Sequence, residues 1–178
     1  MLVRDVLVKA DPANADHYRA NAAAYLAKID LLDKALRTAS TTVPKRTLLT
    51  YHDAYAYFGQ HFGWMVVGAI QPSNFEEPTT KEVANLITQV KAEGVKAIFG
   101  SEVFPSSVLE QIGNEAGVKY VDVLRDDDLP GAPGDPDHSW FGLMRFDFVT
   151  MIDALGGDSS SLTSLPKSTL PDHASYPQ

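Results

Sequence analysis

From Pro44 onward the chain alternates short apolar runs with helical patterns, and that alternation leaves few folds open to it. Thr47–Tyr51, Met65–Ile70, Ala97–Gly100 and Lys119–Leu124 have the length and the aliphatic or β-branched content of buried strands. Between them lie three helical patterns. One runs through Gln60-His61, one spans Lys81–Glu93 behind a Thr79-Thr80 cap, and one opens at Pro105-Ser106 and ends at Ala116. Val83, Leu86, Ile87 and Val90 share a face of the second, and Gly94 and Gly117 close the second and third. Parallel neighbours need crossover connections, so strands separated by helices imply an α/β fold. The expectation is a doubly wound, mainly parallel four-stranded sheet flanked by helices. A further helix, Trp140–Leu155, presents Phe141, Met144, Phe148 and Ile152 as one stripe.

A long strut helix precedes this unit. Asp11-Pro12 suits a helix start, and Tyr18, Ala22, Tyr25, Ile29, Leu32 and Leu36 recur every three or four residues. Leu2–Lys9 reads as the end of a longer helix, with no capping residue at its start and an apolar face left exposed. The expected organisation is a helical segment over 1–40, an α/β lobe over 41–157, and a flexible Ser-, Thr- and Pro-rich tail over 158–178. His17 reads as solvated, and His173 lies in the tail.

In an open parallel sheet, ligands bind beyond the carboxyl ends of the strands. His52 stands at such an end, directly after the first strand. Glu102 follows the third strand, and the loop Arg125–His138 follows the fourth, carrying Asp126, Asp127, Asp128, Asp135, Asp137 and His138. A structureless loop of that length is uncommon and often functional. A histidine at a strand end is ordinarily a surface residue; as a ligand it would bind through one ring nitrogen while a neighbour orients the other. Without cysteine, thiolate zinc sites, disulfides and cysteine nucleophiles are excluded. Nitrogen and oxygen donors suit zinc or manganese, and imidazole tilts the choice towards zinc.

Other chemistries fare worse. No Gly-x-Ser-x-Gly elbow is present, and Gly131-Ala132-Pro133-Gly134 lacks the lysine and helix start of a phosphate loop. The run Asp126-Asp127-Asp128 is contiguous, whereas a phospho-accepting pocket draws its acids from separate strand ends. A net charge of −8 disfavours a nucleic-acid partner. No apolar run reaches membrane-spanning length, and the first residues lack the pattern of an export signal.

The order of segments resembles the C-terminal half of the zinc- and manganese-binding solute-binding proteins of ABC importers (the cluster A-I metal-binding family). Lys9-Ala10-Asp11-Pro12 and Tyr18-Arg19-Ala20-Asn21 are similar to that family's inter-lobe helix and the helix after it. His52-Asp53-Ala54-Tyr55-Ala56-Tyr57-Phe58 resembles the motif at the third metal ligand of zinc members. Gly68-Ala69-Ile70-Gln71-Pro72, Glu77-Pro78-Thr79, Ala97-Ile98-Phe99, Val108-Leu109-Glu110-Gln111-Ile112 and His138-Ser139-Trp140-Phe141-Gly142-Leu143-Met144-Arg145-Phe146 follow in the family's order, so the likeness covers about residues 1 to 158.

The resemblance implies binding and not catalysis: an ion is clamped between two lobes and handed to a membrane permease outside the cytoplasm, in the periplasm or from a cell-surface lipoprotein. It gives His52 the role of third ligand. The fourth is usually an Asp immediately before a small-then-aromatic pair, here Ser139-Trp140, but His138 occupies that place. His138, Asp137 and Asp135 are therefore all candidates. The family's other acid falls at Ser101, which leaves Glu102 to order its loop. The N-terminal lobe, with two further histidines, is not in this sequence, so the missing lobe or a second chain would have to complete the site. The ion is implied to be zinc, with manganese the alternative, as transported ligand and not as catalytic cofactor. A metal-dependent hydrolase, with Glu102 or Asp53 as base, and a ligand-free or dimerising lobe are the competing expectations.

Overall fold

A computed structural model describes residues 2–70, 78–101, 106–125 and 128–167. The 71–77 loop and Glu102, Asp126, Asp127 and His173 lie outside the described residues. Two helices come first: α1 (Leu2–Ala10) and, after a single 3-10 turn at Pro12–Asn14, α2 (Ala15–Thr42). Pro12 takes the first turn as expected, but Asp11 makes no cap hydrogen bond. Its carboxylate instead accepts from Asn14 Nδ2 and Tyr18 Oη, both at 2.8 Å, and these two bonds hold it below the usual carboxylate range. At 1.5 Å per residue α2 is about 42 Å long. Only its C-terminal part is buried in the lobe, through Leu32, Ala35, Leu36, Ala39 and Ser40.

The lobe follows as β1 (Thr47–Thr50), α3 (Ala56–Phe62), β2 (Met65–Ala69), α4 (Thr80–Glu93), β3 (Ala97–Ser101), α5 (Ser107–Ala116), β4 (Lys119–Leu124), α6 (Trp140–Ala154) and α7 (Ser160–Thr163). All strand pairs are parallel, in the order β2-β1-β3-β4. Because side chains alternate across a strand, the sheet builds two cores. Leu48, Ala97 and Phe99 face one with Leu36, Trp64, Phe141 and Ile152, so α2, α3 and α6 cover that side. Leu49 and Ile98 face the other with Val83, Val90, Leu109 and Ile112, so α4 and α5 cover it. Burial on both faces is the reason the central strands β1 and β3 read as continuous apolar runs.

Local signals set the element ends. Thr79 caps α4 in a reciprocal box with Glu82, and Gly94 closes that helix in the left-handed region, where a side chain would be strained. On the edge strand β2, a register shift opposite Leu48/Leu49 leaves the Val67 carbonyl to accept from Gln89 Nε2 at 2.9 Å.

The expectation of a mobile tail from Asp158 needs correction as far as residue 167. Leu162 is fully buried against α2 and α6, Ser161 Oγ donates to the Ala35 carbonyl at 2.8 Å, and the Asp158 amide donates to Thr42 Oγ1 at 2.7 Å. A Ser- and Thr-rich composition conceals one apolar anchor, and that anchor is enough to dock a helical turn.

Candidate metal crevice

From β1 the chain crosses through α3 to β2 on one side, then returns through α4 to β3 on the other. The strand order therefore reverses between β1 and β3, and a crevice opens beyond the carboxyl ends of those two strands. It is lined by Thr50, Tyr51, His52, Tyr55, Phe99, Gly100, Ser101 and Leu124. The crevice is open on one side and has a volume of about 10 Å³, room for one water-sized guest.

The local fold fixes His52 at this rim. The Tyr51 amide donates to the Phe99 carbonyl at 2.8 Å, extending the β1–β3 ladder by one residue. The buried Thr50 hydroxyl then donates to the His52 carbonyl at 2.7 Å. The half-buried imidazole meets the Tyr51 ring edge-on, with centroids 4.7 Å apart. Behind it α3 is anchored by Phe58, whose ring packs on Tyr55, Phe62, Trp64 and Phe148 at 5.0–5.9 Å. The short connection Tyr51–Tyr55 is thus held at both ends. Ser101 lines the same crevice and is buried.

The loop after β4 ends at α6. Ser139 caps α6 by accepting from the Gly142 amide at 3.0 Å. His138 is buried, and its Nδ1 lies 3.2 Å from the Pro130 carbonyl. A carbonyl only accepts, so Nδ1 is the donor in this contact. A carbonyl orienting one nitrogen of a ligating imidazole is the usual second partner in metal sites.

The two carboxylates have other partners. Asp135 Oδ2 accepts from the Ala132 amide at 2.8 Å, closing a tight turn. Asp137 pairs with Arg145 of α6, and its second oxygen lies 3.9 Å from Lys167 Nζ. Among the described residues, no three His, Asp or Glu side chains are brought together as a metal cluster. Sequence reasoning missed Arg145, although an arginine within an otherwise apolar helix stripe is a visible signal. It also missed Asp147, which is buried and accepts from the Arg125 amide at 3.0 Å, joining the end of β4 to α6.

A parallel sheet with its crevice at the strand-order reversal, rimmed by imidazole, defines an α/β ligand-binding lobe. The family model for the periplasmic zinc-uptake complex component A matches residues 2–154, and the chain belongs to that family, one of non-catalytic metal-binding solute-binding proteins of ABC importers. Two curated relatives are similar to it. The manganese-binding lipoprotein MntA of Halalkalibacterium halodurans is 29% identical over 156 residues, covering 86% of this chain and 52% of that protein. The high-affinity zinc uptake system protein ZnuA of Bacillus subtilis is 34% identical over 113 residues, covering 64% and 35%. The chain thus spans about half or less of the length of the relatives it matches. A periplasmic metal binding protein from Candidatus Liberibacter asiaticus superposes with a TM-score of 0.74 at 27% identity, covering 86% of this chain and 57% of that one. Family membership leaves the hydrolase expectation without support.

Proposed function

We propose that the chain is the C-terminal lobe of a metal-importer solute-binding component, with residues 1–40 as the inter-lobe helical segment and 41–157 as the lobe. His52 and a donor from the loop before α6 hold a divalent ion, zinc in the first place and manganese as the alternative. His138 is the preferred loop donor, with Asp137 and Asp135 behind it. An N-terminal lobe or a second chain supplies the remaining ligands, and the loaded protein delivers the ion to an ABC permease outside the cytoplasm. The observation that carries this reading is His52 on the rim of the β1/β3 crevice. An imidazole favours zinc, whereas a carboxylate would favour a harder ion.

A tetrahedral ion holding only two protein ligands is bound weakly. Zinc titrated into the chain and followed by calorimetry should therefore bind weakly and lose its heat in His52→Ala. Stoichiometric sub-micromolar binding that depends on His52 would show that one lobe suffices. Binding untouched by His52→Ala would move the site elsewhere.

A further inference from the structure

We propose that Asp11 and Tyr18 form a clasp that fixes the angle between α1 and α2, and so the direction in which α1 presents its apolar face. The chain is forced out of the helix at this point. Pro12 disfavours the helical conformation for the residue before it, and Asp11 lies at φ −135°, ψ 75°. A break of this kind lets two helices splay unless something joins them across the turn. Asp11 supplies the joint. Its amide donates to the Leu7 carbonyl at 2.8 Å, so the residue is still attached to α1. Its Oδ2 accepts from Asn14 Nδ2 inside the turn and from Tyr18 Oη in α2, both at 2.8 Å. One carboxylate oxygen thus ties the end of α1 to the turn and to the start of α2, through bonds of ordinary length.

Packing alone does not set this angle. Val3 and Leu7 line a groove of about 490 Å³ together with Tyr18, Ala22, Tyr25 and Leu26. Residues so far apart in the chain share a groove only because α1 folds back along α2. Yet no side chain of α1 is buried. Arg4 and Val8 are half-buried, as are Tyr18, Ala22 and Tyr25 on α2, while Leu2, Val3 and Val6 are exposed. A helix of nine residues is too short to persist in water unaided, so α1 depends on its attachment to α2. The Tyr18 ring lines the groove and its hydroxyl reaches back to Asp11, which makes it both contact and tether. Asp11 and Tyr18 are positioning residues: they act through the placement of Leu2, Val3 and Val6. On the proposed reading of residues 1–40 the clasp would set the direction of the link between lobes, but its existence does not depend on that reading or on a metal.

The test is the full chain carrying nitroxide labels at Val6→Cys and Ala24→Cys. Both positions are exposed, and the labelling is specific because the sequence has no cysteine. Label-to-label distances are read alongside amide exchange of the unlabelled protein, without added metal. The unaltered clasp should give one narrow distance distribution. Tyr18→Phe keeps the ring and deletes only the hydroxyl; it should about double the width of that distribution and speed exchange in α1 about fivefold, with the Leu48 and Ile98 amides unchanged. Asp11→Ala should do the same, and the double variant should add little to either single change. A broad distribution with the clasp intact overturns the inference. So does Tyr18→Phe with both readouts unchanged, an additive double variant, or equal acceleration at Leu48 and Ile98. Should Asp11→Ala fail to fold, Tyr18→Phe decides alone. A failure of the half-site reading, with zinc leaving His52 still, moves none of these outcomes.

Discussion

At the scale of single residues, polar side chains here act by fixing backbone. Thr50 holds the carbonyl of His52, His138 Nδ1 donates to the Pro130 carbonyl, and Arg145 holds Asp137. A comparable group fastens α3 to α2. Asp33 meets His61 Nε2 at 2.5 Å and Arg37 Nε at 2.8 Å, and the Arg37 guanidinium lies 5.3 Å from the Phe62 ring centroid. Burial raises the Asp33 carboxyl, but the bonds from His61 and Arg37 outweigh it and leave the group below the usual carboxylate range. A depressed folded value means stability that is present above the unfolded pKa and lost as pH falls through the folded one. Asp33→Asn should cost about 1 kcal/mol at neutral pH. Urea unfolding at a series of pH values should show the gap between the two proteins closing below the usual carboxylate range. His52 was legible as a candidate because strand periodicity places it at a sheet edge. The Arg145–Asp137 pair was not, because residues eight apart meet across a loop whose turns no periodicity encodes.

At the scale of elements, the sheet and its helices were readable because each carries its own signal. β4 falls on the expected residues, and α4 begins where Thr79 and Glu82 form a capping box. Thr79→Ala should cost about 1 kcal/mol of unfolding free energy, measured in urea at neutral pH. The hydrogen bonds from Thr79 hold Glu82 below the usual glutamate range, so the effect of that substitution should shrink in acid. α7 escaped because a four-residue helix shows too little periodicity to be seen. Its stabilisation rests on Leu162, fully buried against α2 and α6. Leu162→Ala should cost about 2–5 kcal/mol and release the segment, seen as faster amide exchange from Ser160 to Leu165.

At the scale of the molecule, the stable unit begins near Leu32. No side chain of α1 is buried, and Leu2, Val3 and Val6 are 78%, 73% and 58% exposed, which matches the apolar face expected of the first helix. Removing residues 1–10 should therefore change the unfolding free energy of the lobe by less than about 1 kcal/mol, as urea denaturation would show. The lobe has its own two-sided core. The candidate site contrasts with it: the described residues gather no cluster of three His, Asp or Glu side chains, and the chain spans about half or less of its curated relatives. A core can close within one lobe, whereas a site between lobes, as proposed above, would take only some of its donors from each. Sequence patterning therefore reached the fold more fully than the site.

On the proposed reading, this chain carries part of a metal site centred on His52. The most direct measurement is a zinc titration of the chain followed through its five histidines, resolved by imidazole nitrogen shifts. Zinc should bind weakly, with His52 and His138 moving together while His17, His61 and His173 do not, and His52→Ala should silence His138 as well. Zinc that shifts other histidines and leaves His52 still would contradict it.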